Sequence, residues 1–388
     1  MARTATYLLV LASAIPFFYD RYLAFSPMFA NLPGRMKTIY GFKSHNIRFQ
    51  DWIRNCEDVV LYEDAGLAIL SCDAGRDRWN TVMGAFHQEK EIVSGDLYIY
   101  DYSTPDLPDS EALKQIKFEN FSTDDFHPLG IEFEAETSTL FVANHAQSGT
   151  VIEVFKVSLK SAVASRIQTL RHDLLHSPNS IHAIGSGKLF VTNDHWMRAA
   201  LSPILAQVES WFGIPGGSVV FIDIAEPSAA KVVARLPFAN GITMFNSTTL
   251  AVASSSKAGV NFYTTTPEYD LQFKKLVRTP AAVDNISLDS KGRLLMAGHA
   301  FPPKVAGIAR RRWQCEMRNG EVQGGEEERD ACRCDAPSWV AEWSEEGGLR
   351  EIFKDEAFCS SSTAVRDVKR GVGMVSGLYE RGLLVFRE

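Results

Sequence analysis

The stretch Gly187–Trp196, GKLFVTNDHW, is a short apolar run of β-forming residues that stops abruptly on Asn193-Asp194. Neighbouring residues on a strand project to opposite sides, so an Asn carbonyl and an Asp carboxylate at one strand end can serve two separate hard cations. The same arrangement recurs outward in both directions. GLAILSCD (66–73), TLFVANHAQSGTVIEVFKV (139–157), GGSVVFIDI (216–224), TLAVASSSKAGVNFYTTT (249–266), RLLMAGHAF (293–301) and GVGMVSGLYERGLLVF (371–386) are further β-branched and aromatic runs, broken by Gly, Ser, Asn and Asp. Such runs read as strands, and helical periodicity is scarce outside Ala199–Phe212. Several share one form, an apolar strand, a polar turn and a second apolar strand, most clearly at 140–155 and 250–263. A unit of that kind repeated along a chain predicts the blades of an all-β propeller.

Length and charge agree with this reading. A chain of 388 residues, 45% of them hydrophobic, is long for one ordinary domain but suits a single closed propeller with a sizeable core. A net charge of −7 and an isoelectric point near 5.8 argue against a nucleic-acid surface, and the nearest thing to a basic block is Arg310-Arg311-Arg312. The N-terminus reads as a targeting segment over residues 1–25: Arg3 precedes an apolar run, Tyr7–Phe18, that ends at Asp20-Arg21 with small residues at Ala12-Ser13-Ala14. That run is short for a bilayer span and suits a signal peptide or uncleaved anchor, which implies a secreted or membrane-associated protein. Export makes the sequons Asn120-Phe121-Ser122 and Asn246-Ser247-Thr248 usable for glycosylation. It also makes disulfides the better reading of six cysteines, three of which (Cys315, Cys332 and Cys334) lie in a charge-dense insertion, 310–336, without the CxxC pairs of a zinc module. One of the three must reach Cys56, Cys72 or Cys359, or stay free.

Polar anchors recur once per expected blade: Glu57-Asp58, Gly130-Ile131, Asn193-Asp194, Asn240-Gly241, Asp284-Asn285 and Ser361-Ser362-Thr363. The innermost strand of every blade borders the central channel, so one polar site per blade forms a ring of oxygens at the axis, suited to calcium. Glu57 with Asp284 balances one divalent cation, and Asp58 with Asp194 balances a second. Left unpaired, such buried carboxylates would each cost several kcal/mol.

The motifs PFANGI (237–242), VDNIS (283–287), TNDH (192–195), NCED (55–58) and VANH (142–145) resemble, in order, those of the serum paraoxonase/arylesterase family over roughly residues 50–388. The resemblance implies a six-bladed β-propeller with two calcium ions in its tunnel. Its catalytic ion would be held by Glu57, Asn193, Asn240, Asp284 and Asn285; its structural ion by Asp58, Asp194 and the carbonyl of Ile131. A calcium ion so placed polarises an ester or lactone carbonyl and holds the developing oxyanion. The family's paired histidines imply His145 as base, but the other position is Leu129, with His127 two residues earlier and Pro128 between. His299 matches a histidine of the family's active-site wall, and His195 is placed to orient calcium ligands. The family joins its chain ends by a disulfide, whereas this chain ends LLVFRE; the expected substitute is a Cys72–Cys359 bond between the first and last blades. The implied activity is calcium-dependent hydrolysis of lactones and aryl esters. Alternatives are a catalytically weak calcium propeller that binds a ligand or protein, and a strictosidine-synthase-like or gluconolactonase-like propeller.

Overall fold

Residues with β-branched and aromatic side chains build six sheets arranged as a six-bladed β-propeller, antiparallel except where Lys117–Glu119 adds in parallel to the outer edge of the second blade. The computed structural model describes residues 2–318 and 321–388, without the side chains of 2–11, 13, 318 and 321. The innermost strands are Cys56–Tyr62, Pro128–Glu134, Pro178–Ala183, Ala239–Asn246, Ala282–Leu288 and Ser361–Asp367, each followed outward by the next strands of its blade. Second strands such as Thr139–Asn144 and Thr249–Ser254 are buried along their whole length, because neighbouring blades cover both faces. Six apolar clusters accordingly fill the seams between neighbouring blades, one example being Phe141 and Ile152 against Leu189 and Val191.

The ring closes by backbone pairing. Ser44–Arg48 lies antiparallel to Leu383–Arg387, with Ser44 opposite Arg387 and Arg48 opposite Leu383, so a strand from before residue 50 completes the last blade. Ile39–Tyr40 likewise pairs on the fifth blade. The expected Cys72–Cys359 bond is therefore corrected. Cys72 sits directly opposite Cys56 in the first blade and bonds to it, at a Cα–Cα distance of 3.8 Å. Cys315 pairs with Cys332 inside the insertion, and Cys334 ties the insertion to Cys359. Residues 319–320 of that insertion lie outside the described residues.

Three segments leave the blades and roof one end of the tunnel. The helical expectation at 199–212 is realised as Pro203–Phe212, which starts where Ser202 accepts a hydrogen bond from the Leu205 N–H and stops at Gly213, whose φ of 61° suits a helix end. A second helix, Pro302–Arg311, opens the insertion. The third, Ala2–Ala30, holds the expected targeting segment; half of that segment's apolar run, residues 7–11 and 13, has side chains outside the described ones. Its C-terminal half is docked: Asp20 pairs with Lys257 and Arg278, Arg21 donates to the Ser256 carbonyl at 2.9 Å, and Asn31 donates to the carbonyls of Pro280 and Ala300. The boundary at 25 thus falls inside a packed helix, whereas processing at Ala14 would leave the docked half in place. No helix among the described residues is long and apolar enough to cross a membrane.

Candidate active site

The ladder between the first and second strands of every blade is interrupted at the same place. Regular pairing skips between Cys56 and Asp58, Pro128 and Ile131, Pro178 and Ile181, Ala239 and Ile242, Val283 and Ile286, and Ser361 and Ala364. A bulge frees residues from the ladder and re-aims their side chains. The freed residues are Glu57, Leu129-Gly130, Asn179-Ser180, Asn240-Gly241, Asp284-Asn285 and Ser362-Thr363. Crowding at the axis explains two of the glycines: a Cβ on Gly130 would lie 2.1 Å from the Asn179 carbonyl oxygen, and one on Gly241 would lie 2.6 Å from the Asn285 Cα.

Hydrogen bonds knit this ring together. Asn240 Nδ2 donates to Asp284 Oδ1 at 2.6 Å and to Ser255 Oγ at 3.0 Å. Asn285 Nδ2 donates to Glu57 Oε1 at 2.7 Å and to Thr363 Oγ1 at 3.1 Å. The opposite ends of these side chains are unsatisfied: Glu57 Oε2, Asn179 Oδ1, Asn240 Oδ1 and Asn285 Oδ1 are buried oxygens with no hydrogen-bond partner. Buried polar atoms are normally paired, and four acceptors without a donor are the complement of a hard cation. Burial, with the nearby charges of Asp58 and Asp284, pushes the Glu57 carboxyl well above the usual carboxylate range. No group of three or more His, Cys, Asp or Glu side chains poised for a metal occurs among the described residues, so the ring relies on amide oxygens beside Glu57 and Asp284.

Asn193 and Asp194, expected to give one ligand to each ion, are not in this ring. Asn193 ends the second strand of its blade and is fully satisfied, accepting from the Ser177 N–H at 3.0 Å and donating to the Leu174 carbonyl at 2.8 Å and Ser218 Oγ at 3.1 Å. The Asp194 carboxylate lies 3.3 Å from His195 Nδ1, and this imidazolium-forming partner holds its pKa down against the effect of burial. The blade presents Asn179-Ser180 at the axis instead. A second ion does not fit the residues present. Asp58 accepts from the N–H groups of Ile131 and Val59 and from the Thr363 hydroxyl. Its would-be partner position is Ser180, whose N–H donates to Thr192 Oγ1 at 2.9 Å. One carboxylate already engaged by three donors leaves a buried divalent ion half neutralised.

The histidines also sort differently. His145 is buried with both ring nitrogens used, Nε2 on the Pro178 carbonyl at 2.6 Å and Nδ1 on the Thr81 hydroxyl, and burial lowers its pKa. His127 is buried against Asp73, Nδ1 to Oδ2 at 3.2 Å. Neither is among the residues lining the cavity, which His299 and His195 do line. His299 Nε2 lies 3.2 Å from Asp284 Oδ2, and His195 Nε2 lies 2.6 Å from Ser210 Oγ. The cavity, of about 200 Å³, has Glu57, Asn179, Asn240 and Asp284 on its floor. Its walls are mainly apolar, with Leu129, Met83 and Phe238 near the ring and Phe25, Trp211 and Val305 contributed by the three roofing segments.

Serum paraoxonase/arylesterase 2 of Canis lupus familiaris is 29% identical over 219 residues, covering 52% of this chain and 60% of the relative. Serum paraoxonase/lactonase 3 of Oryctolagus cuniculus is 25% identical over 297 residues, covering 75% and 78%. The matched stretch thus spans under two thirds of the canine protein's length. A gluconolactonase from Xanthomonas campestris superposes with a TM-score of 0.53 at 11% identity, over 90% of this chain and 93% of its own, which speaks for the fold alone. The arylesterase family model matches residues 83–308, from the first blade's outer loop to the roofing helix of the insertion. With that stretch exceeding half the chain and containing Asn179, Asn240, Asp284 and Asn285, the chain belongs to the paraoxonase/arylesterase family.

Proposed function

We propose that this protein is a calcium-dependent hydrolase of lactones and aryl esters, with one ion on the cavity floor. The observation that carries the reading is the set of four buried, donor-free oxygens from Glu57, Asn179, Asn240 and Asn285 beneath an apolar cavity. Together with Asp284 they make five ligands, and the charges of Glu57 and Asp284 sum to −2, matching a divalent ion. The fivefold oxygen set and its charge suit calcium over the softer transition metals. A calcium ion held there supplies Lewis-acid polarisation of a carbonyl and stabilisation of the negative charge that develops as it is attacked.

The chain's own residues supply the rest. Asn240 and Asn285 fix the two carboxylates through their Nδ2 donors, so the ligand oxygens keep their places with no rearrangement. His299, against Asp284, is the imidazole nearest the ligand set and is the group placed to take a proton from water at the floor. Leu129 and the roofing segments exclude bulk water and give the acyl or aryl portion an apolar surface. His145, with no free nitrogen, serves to fix the Pro178 carbonyl beside Asn179. The three disulfides and the names of the serum relatives support a secretory route, with the N-terminal helix as a means of membrane association. The catalytically weak binding propeller stays a second reading on one specific observation: Leu129 stands, buried and apolar, where the family's paired histidine is implied. Turnover of phenyl acetate and a panel of lactones, before and after EGTA and after calcium is restored, tests the proposal. Activity indifferent to chelation refutes the metal, and absent turnover in calcium-loaded protein favours the binding module.

A further inference from the structure

The run Arg310-Arg311-Arg312 is not a uniform basic patch. Arg312 is buried and gives its guanidinium to Asp77, at 2.9 Å, and to the carbonyls of Cys332 and Tyr379. Arg311 binds the Asp335 carboxylate at 3.0 Å and the carbonyls of Asp330 and Arg333. Arg310 alone of the three has no ion-pair or hydrogen-bond partner among the described residues, and its side chain lines the cavity. Its backbone is nonetheless fixed. Val305, Ile308 and Ala309 of the same helix pack against Leu378 and Tyr379, Lys304 and Arg311 share Asp335, and the Cys334–Cys359 bond anchors the far side of the insertion.

The charges of the cavity differ in burial. Glu57 and Asp284 are buried in the ring at the axis, Arg310 is exposed on the roofing helix, and apolar side chains such as Leu129, Met83 and Val305 line the same cavity. A guanidinium on open surface gains little from an anion, because water screens it. At the rim of a cleft with low-polarisability walls its field is focused, and an anion entering the cleft gains more. The floor carboxylates act in the opposite sense and penalise an anion that enters the wrong way round. An uncharged acyl chain would use the walls and leave Arg310 idle.

Resting on the hydrolase reading, we infer that the preferred substrate is an ester or lactone bearing a carboxylate or similar anion at the end remote from its reacting carbonyl. Arg310 is the specificity-determining residue: it holds the anionic tail at the roof while the carbonyl points to the floor. The guanidinium takes no part in bond making, so its effect falls on binding and on KM.

Calorimetric binding of 6-phenoxyhexanoate and of its neutral counterpart 6-phenoxyhexanol to the calcium-loaded full-length protein tests this without any turnover. The wild type is expected to bind the carboxylate about tenfold more tightly than the alcohol, the size of one partly desolvated charge-assisted contact. Arg310→Gln should bind both alike, Arg310→Lys should keep part of the preference, and the preference should shrink as salt is raised. Equal binding of the two probes by the wild type, or an unchanged preference in Arg310→Gln, overturns the inference. Because Arg310 is exposed, none of these variants threatens the fold. A parallel comparison of monophenyl glutarate with phenyl valerate should place the Arg310→Gln effect on KM with kcat nearly unchanged. If neither ester is hydrolysed, the hydrolase reading fails while the calorimetry still decides Arg310.

Discussion

Asn179 and Asn193 lie fourteen positions apart on neighbouring strands, and exchanging each for Ala separates a ligand from a strut. Asn179→Ala removes an oxygen that has no protein partner, so the apoprotein loses little. The calcium complex loses one ligand in five, and calcium affinity should fall by about ten- to a hundredfold, or about 1.4–2.8 kcal/mol. Asn193→Ala removes three hydrogen bonds, two buried and one part-buried, and strands the Ser177 N–H and the Leu174 carbonyl; at about 1 kcal/mol each, the loss is about 3 kcal/mol. An unfolding entropy of about 2.1 cal/mol/K per residue gives a chain of this length about 0.8 kcal/mol/K, so that loss is worth about 4 °C in Tm. The assay is thermal melting in EGTA followed by calcium titration of the same samples. The expected pattern is crossed: Asn193→Ala melts low in EGTA but keeps the calcium midpoint, and Asn179→Ala melts normally in EGTA but needs more calcium. A displaced calcium midpoint in Asn193→Ala with none in Asn179→Ala refutes the assignment.

Elemental analysis of the purified protein should find one tightly held calcium per chain; two would restore the ion at Asp58. His145→Gln should cost about 2 kcal/mol of stability through its bonds to Thr81 and Pro178, and a hundredfold fall in kcat with the fold intact would return His145 to the chemistry. Asp20 is partly buried, which alone would raise its pKa, but hydrogen bonds from Arg21, Lys257 and Arg278 hold it at about 2. With the folded pKa below the ordinary 3.8, this clasp contributes fully above that value and is lost as pH falls towards about 2. After discount for partial exposure it is worth about 1 kcal/mol, so Asp20→Asn at neutral pH should raise protease cleavage within residues 20–31 severalfold, and an unchanged cleavage rate would show that the helix is held by its apolar contacts alone.

Most of the ring was legible because its pattern is local. Glu57, Asn240, Asp284 and Asn285 each begin an apolar strand after a turn, and the structure brings them to the axis. Asn193-Asp194 misled because Asn and Asp also finish strands, where they satisfy the backbone of the adjoining loop, as Asn193 does for Ser177 and Leu174. A finer signal was present. Ile131, Ile181, Ile242 and Ile286 each follow the first freed residue of their bulge by two positions, and each resumes the regular ladder. Asn179-Ser180-Ile181 has that spacing, whereas the residue two after Asn193 is His195. The alternation rule fails across these starts because a bulge shifts the side-chain period by one residue.

Ring closure and the placement of the roof were illegible for a different reason: both depend on contacts between residues far apart in sequence. Ser44–Arg48 is a polar edge sequence, SHNIR, with no strand signal of its own, and it is recruited by the unpaired edge of Leu383–Arg387. Cys56 and Cys72 read as separate options until the first two strands are set in register, which places them opposite one another. The insertion shows the same dependence at the functional level. Its sequence is a run of charges, but the fold sends Arg312 into the interior and Arg311 to Asp335 and leaves Arg310 over the cavity. In this protein the floor is formed by residues at the axis of the blades, and the proposed selectivity rests on what lies above it. What lies above is the Ala2–Ala30 helix, the Pro203–Phe212 helix and the disulfide-bound insertion on the fifth blade, so changes in substrate preference should map to the roof while metal binding follows the bulges.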